Sequence, residues 1–155
     1  MSDRGVLVIG IGNELRGDDG VGIAVARRVC ATAAPARIEV RVHQGEPTAL
    51  LDMWLGHRAV VLIDAMHSGA PAGTIRRFDA SRGPLPARWG GSSSTHAVAL
   101  AEAIELGRTL GRLPPTLVVY GIEGSAFDAG PRLSPALEAA LPTLADSVLR
   151  ELCVP

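Results

Sequence analysis

Two stretches of this chain, GVLVIGI at residues 5–11 and AVVLI at 59–63, are apolar without a break. A strand with one wet face alternates apolar and polar residues. An unbroken run of this length needs cover on both faces, as in the middle of a parallel sheet. A third run, TLVVYGI at 116–122, has the same character. Three such strands require helices above and below them. The segments between supply those helices. Val21, Val25 and Val29 recur at helical spacing over about 21–31, Pro47 opens a second helix, and residues 95–111 form a third, closed by Gly111. The last helix runs over 134–152, with Ser134 as N-cap and Pro135 at its first position. RIEVRVH at 37–43 alternates and reads as a half-buried strand, and Thr74 to Phe78 as a further one. The expected fold is a three-layer α/β/α sandwich. Its sheet has five strands, mostly parallel with one antiparallel, in a single domain over 1–155.

The antiparallel strand follows from loop length. Only residues 65–72 separate Asp64 from Gly73. A parallel crossover takes about a dozen residues or more, so the fourth strand is expected to run antiparallel to the third. Residues 80–94 then form a long Gly/Pro/Ser-rich loop, which must return the chain to the other edge of the sheet and whose length suggests function.

Composition narrows the chemistry. The formal net charge is −1, and all 15 cationic side chains are arginine. A near-neutral chain is not built for nucleic acid or for an anionic membrane surface. Without lysine there is no Schiff base and no lysine-bearing phosphate loop. Aromatics are 3% of residues, too few for base stacking or a large aromatic interface; a monomer is expected. Cys30 and Cys153 form no metal-type pair and read as small hydrophobes or bystanders. The first four residues lead straight into a strand, with no signal-peptide pattern and no membrane-length apolar run, so a cytoplasmic location is expected.

In parallel sheets ligands sit at the carboxyl ends of the strands. Three side chains from distant parts of the sequence are aimed there. Asp18 and Asp19 stand at the mouth of the first helix. One acid suffices to cap that helix, and Asp18 is assigned this task, leaving Asp19 for chemistry. Asp64 follows four apolar strand residues, where an unpaired acid is costly. His96 opens the third helix, whose dipole favours a neutral ring that can ligate metal. Two carboxylates and an imidazole suit a borderline divalent ion such as nickel or zinc. His43 and His67 are candidates for supporting roles, and His57 reads as a surface loop residue. Leu15 stands where a dinucleotide fold needs its third glycine, and no G-x-S-x-G elbow or H-E-x-x-H is present.

The run Val8-Ile9-Gly10-Ile11-Gly12-Asn13, Leu15 and Asp18-Asp19-Gly20-Val21-Gly22, then Val61-Leu62-Ile63-Asp64-Ala65, then a Ser/Thr-flanked His96, resembles the hydrogenase maturation proteases. The likeness extends over most of the chain, including Val118-Val119-Tyr120-Gly121-Ile122-Glu123. It implies an endopeptidase that removes the C-terminal extension of a nickel–iron hydrogenase large subunit after nickel insertion. The partner would be the nickel-loaded precursor. Nickel would arrive with that substrate, contacted from the protease by Asp19, Asp64 and His96. After the second strand this chain has His43-Gln44-Gly45-Glu46-Pro47-Thr48, where Gly45 fits the family pattern and its neighbours differ. Water could be activated by the metal or by an aspartate. Two other readings are a non-catalytic nickel-dependent chaperone for the same partner and a hydrolase similar to peptidyl-tRNA hydrolase.

Overall fold

The computed structural model describes residues 4–32, 38–44, 46–86, 89 and 95–153, with the backbone alone at 95–97. Five strands build one sheet: β1 (Val6–Ile11), β2 (Ile38–His43), β3 (Ala59–Met66), β4 (Ile75–Asp79) and β5 (Thr116–Glu123). Their order across the sheet is β2-β1-β3-β5-β4. The first four in that order are parallel, and β4 runs antiparallel to β5. The helices are α1 (Val21–Thr32), α2 (Pro47–Trp54), α3 (Thr95–Thr109) and α4 (Pro135–Leu152). A 3₁₀ turn, Gly17–Gly20, leads into α1.

The fully apolar strands are the central ones, as their patterning requires. β1 is buried throughout, and β3 and β5 throughout except at their first residues. Alternate residues feed two cores. Leu7, Ile9, Leu62, Met66, Leu117 and Val119 meet Leu50 and Trp54 of α2 and Leu100 and Ile104 of α3. Val8, Val61, Ile63, Val118 and Ile122 meet Val25 and Val29 of α1 and Leu144 and Val148 of α4. The sandwich is therefore α2/α3, sheet, α1/α4.

The antiparallel strand is where the short link from β3 demands it, but it hydrogen-bonds β5. β5 enters between β3 and β4. This leaves the end of β4 at the amino rim of the sheet, where Ala80 N–H donates to Leu117 O at 2.8 Å. The chain must then climb to the carboxyl rim before α3 descends. The foot of α3 is fixed at the amino rim. Arg108 Nη2 donates to the carbonyls of Ala80 (2.9 Å) and Gly83 (3.0 Å), and Trp54 Nε1 donates to Arg112 O at 3.1 Å. Gly111 has φ +65°, and the Arg112 N–H turns back to Gly107 O at 2.7 Å, closing α3 as expected. Most of the loop at 87–94 lies outside the described residues.

One expectation is corrected. His57 is buried, with Nε2 3.2 Å from Glu39 Oε2, because the ring tucks below the end of α2 against edge strand β2. Cys30 and Cys153 are free, exposed thiols outside either core, bystanders rather than core hydrophobes. Among the described residues no helix is long and apolar enough to cross a membrane.

Glycines bring α1 onto the sheet. A methyl group at Gly22 would overlap the carbonyl oxygens of Ile63 and Ile11, and one at Gly10 would overlap Gly22 O. The replacement Gly22→Ala is expected to cost about 2–3 kcal/mol in urea unfolding by overpacking. Gly111→Ala meets open space and only the left-handed backbone. It should cost about 1 kcal/mol.

On the outer half of the sheet, Arg77 binds Glu151 through Nε (2.8 Å) and Nη2 (2.7 Å), and Tyr120 Oη donates to Glu151 Oε2 at 2.6 Å. Burial, and then the neighbouring Glu151, push the Tyr120 hydroxyl from 10.0 up to about 12. The folded chain holds this proton more tightly than the unfolded one. Its contribution is therefore intact below pH 10 and is lost as pH rises toward 12. Tyr120→Phe should lose about 1 kcal/mol at neutral pH. Its urea midpoint should also lack the alkaline decline that the native chain shows across that window.

Candidate active site

The carboxyl rim is built around the link from β1 to α1. Gly12, at φ +143°, ends β1; a side chain there would overlap the main chain of Asp19, so the turn closes tightly on itself. The Asn13 N–H donates to Asp19 Oδ2 at 2.9 Å, and Asn13 Oδ1 accepts from Leu15 N–H at 3.0 Å. The Asp19 carboxylate is thereby turned back over the link, 8% exposed. Arg27 of α1 clamps Glu14 with both of its Nη atoms, steadying the outer side of the same turn.

Asp64 lies two residues before the end of β3, opposite Gly121 of β5. It is fully buried. It alternates with Leu62 and Met66, which places it on the α2/α3 side. Gly22 packs against the carbonyl of Ile63, so the start of α1 lies directly beside the main chain at Asp64. The two acids chosen from sequence therefore share one rim.

His96 is the second residue of α3. Because the foot of α3 is pinned at the amino rim, its first turn stands at the carboxyl rim on the Asp64 side. The His96 side chain lies outside the described residues. Among the described residues no three His, Cys, Asp or Glu side chains are grouped to hold a metal ion.

Asp18 does not cap α1. Its carboxylate points away from that helix and is fully buried in the β5–α4 connection. Oδ2 accepts from Ser125 N (2.8 Å), Ala126 N (3.0 Å) and Ser134 Oγ (2.8 Å), and Oδ1 from Ser134 N (2.7 Å). Burial pushes its pKa up. The amides of Ser134, Ser125 and Ala126 and the Ser134 hydroxyl more than offset this, leaving it below the usual carboxylate value. Ser134 is the N-cap residue of α4, as expected, yet its hydroxyl serves Asp18 and caps nothing.

A second buried acid was not singled out from the sequence. Glu123, at the end of β5, accepts from Ser68 N (2.7 Å), Ser68 Oγ (2.8 Å) and Gly69 N (3.0 Å). It fixes the turn after β3. Its signal in the sequence is the same as that of Asp64, an acid directly after an apolar strand. In that turn His67 is exposed and stacks on Phe127, with ring centroids 5.1 Å apart and an interplanar angle of 11°. His43 ends β2, where its carbonyl accepts from Gly12 N–H at 3.0 Å. A cleft of about 320 Å³ opens between His43 and the β1–α1 link, walled by Leu15, Ile23 and Val42; Leu15 is 66% exposed.

The fold is shared with known proteins. Residues 45–151 match the family model described as hydrogenase maturation protease. The hydrogenase expression/formation protein HupD of Thiocapsa roseopersicina is 29% identical over 93% of this chain and 69% of its own length. The structure superposes on the hydrogenase maturating endopeptidase HybD of E. coli with TM-score 0.82 and 24% identity, covering 98% of this chain and 92% of that one. For the NiFe hydrogenase maturation protease HybD of Thermococcus kodakarensis the TM-score is 0.72 at 22% identity, covering 98% and 99%. The structural likenesses carry the fold and the family model carries the kinship: the chain belongs to the hydrogenase maturation proteases.

Proposed function

We propose that this chain cuts the C-terminal extension from a nickel–iron hydrogenase large-subunit precursor once nickel has been inserted. The observation that carries the reading is the placing of Asp19 and Asp64, from separate elements, on one rim beside the first turn of α3. Asp19, Asp64 and His96 then contact the nickel that the precursor presents. Two carboxylates and a neutral imidazole suit that ion and leave it open positions. Nickel here belongs to the substrate. Held by these side chains, it would supply Lewis-acid chemistry toward the scissile carbonyl or a water, or would serve only to dock the substrate. The aspartates orient that water and take its proton. The enzyme acts as a monomer in the cytoplasm, a reducing compartment in which the exposed thiols of Cys30 and Cys153 persist.

Incubation with nickel-loaded precursor should release a short C-terminal peptide over many turnovers, read by mass spectrometry. Asp19→Asn, Asp64→Asn and His96→Ala should each lower the rate at least ~100-fold, with native far-UV circular dichroism. Native processing by Asp64→Asn removes the site. Stoichiometric binding without release would instead make the protein a chaperone for the same precursor.

A further inference from the structure

Asp18 is a buried charge that the proposed chemistry does not use. Three amides and one hydroxyl converge on its carboxylate, all from Ser125, Ala126 and Ser134, more than a hundred residues away in sequence. A longer contact from Ser125 Oγ, at 3.5 Å, adds to them. The main chain around it is tied to the same segment. Asp18 N–H donates to Ala126 O at 2.7 Å, Gly17 N–H to Gly130 O at 2.8 Å and Gly130 N–H to Leu15 O at 2.8 Å. Gly17 and Gly124 leave no room for a side chain between the two segments. A Cβ on Gly17 would overlap Ala126 O, and one on Gly124 would lie 2.7 Å from Phe127 Cζ and 2.9 Å from Asp18 Cβ.

We propose that Asp18 is a positioning residue: through the 3₁₀ turn it fixes the carboxylate of Asp19, and so makes the β5–α4 connection part of the active site although that connection supplies no reacting group. The inference rests on the reading that Asp19 contacts the substrate. Asp19 is the next residue in the same turn, and its carboxylate accepts from the Asn13 amide. Its place therefore depends on where the turn sits. Reacting groups must be held within ~0.5 Å, and a shift of about 1 Å costs ~100-fold in rate. A carboxylate suits this task because every group facing it is a donor. Asparagine has the same size, but its NH₂ would confront N–H groups.

The test compares Asp18→Asn, Ser134→Ala, Asp19→Asn and a distant control, Val148→Ala, which opens a cavity under α4. Processing of nickel-loaded precursor is measured well below each variant's Tm, so that stability and rate are read separately. Asp18→Asn should lower kcat ~100-fold while KM changes less than about threefold. Ser134→Ala, which deletes one hydroxyl and leaves the three amides in place, should lower kcat by about three- to tenfold. Val148→Ala should lose Tm yet keep kcat within about twofold. Native kcat in Asp18→Asn or Ser134→Ala, beside an inactive Asp19→Asn, overturns this inference and leaves the proposed site standing. An equal kcat loss in Val148→Ala at matched Tm overturns it too, since the effect would then be general loosening. If Asp18→Asn does not fold, Ser134→Ala decides alone. An active Asp19→Asn overturns both readings, because nothing would then need positioning.

Discussion

The fold turns on how closely α1 approaches the sheet. Gly10 and Gly22 remove the two side chains that would hold the helix off, and main chain meets main chain at Ile11 and Ile63. That contact fixes where the 3₁₀ turn sits above β1 and β3. Because β1 and β3 are neighbours in the sheet, the turn inherits a fixed relation to Asp64. A helix held away by ordinary side chains would place Asp19 above a wider gap. The glycines thus settle the geometry of the rim before any polar group there forms a bond.

The four buried acids among the described residues stand in two settings. Asp18 and Glu123 each face a cage of amides and serine hydroxyls from a loop. These carboxylates organise loops, and their charge is matched by fixed dipoles. Asp19 and Asp64 lie between those loops, on the turn and strand that the cages hold still. A carboxylate surrounded by amides, as Asp18 and Glu123 are, is committed to structure.

Much of this was legible in the sequence, for definite reasons. Unbroken apolar runs gave the central strands, because burial on two faces leaves no place for a polar residue. Gly111, Pro47 and Pro135 marked helix ends, since each acts through its own backbone. The short 65–72 link revealed the direction of β4. Its partner was not readable, because pairing with β5 depends on a strand that arrives later in the chain. Asp18 was misread for a related reason. A local rule makes it a cap, while its donors lie at residues 125–134 and no nearby pattern announces them. His57 looked like a surface residue because nothing in its neighbourhood shows that Glu39 and the end of α2 enclose it. Asp19 and Asp64 were chosen on a topological rule, and topology is what sequence patterning conveys best.

The insertion of β5 between β3 and β4 has a consequence for the newborn molecule. Until residue 123 is laid down, β3 lacks one neighbour and β4 has none. The donors that tie Asp18 arrive later still. During synthesis and early folding the rim is therefore unfinished. Topology serves here as a latch: the turn that carries Asp18 and Asp19 is fastened when the last quarter of the polypeptide docks.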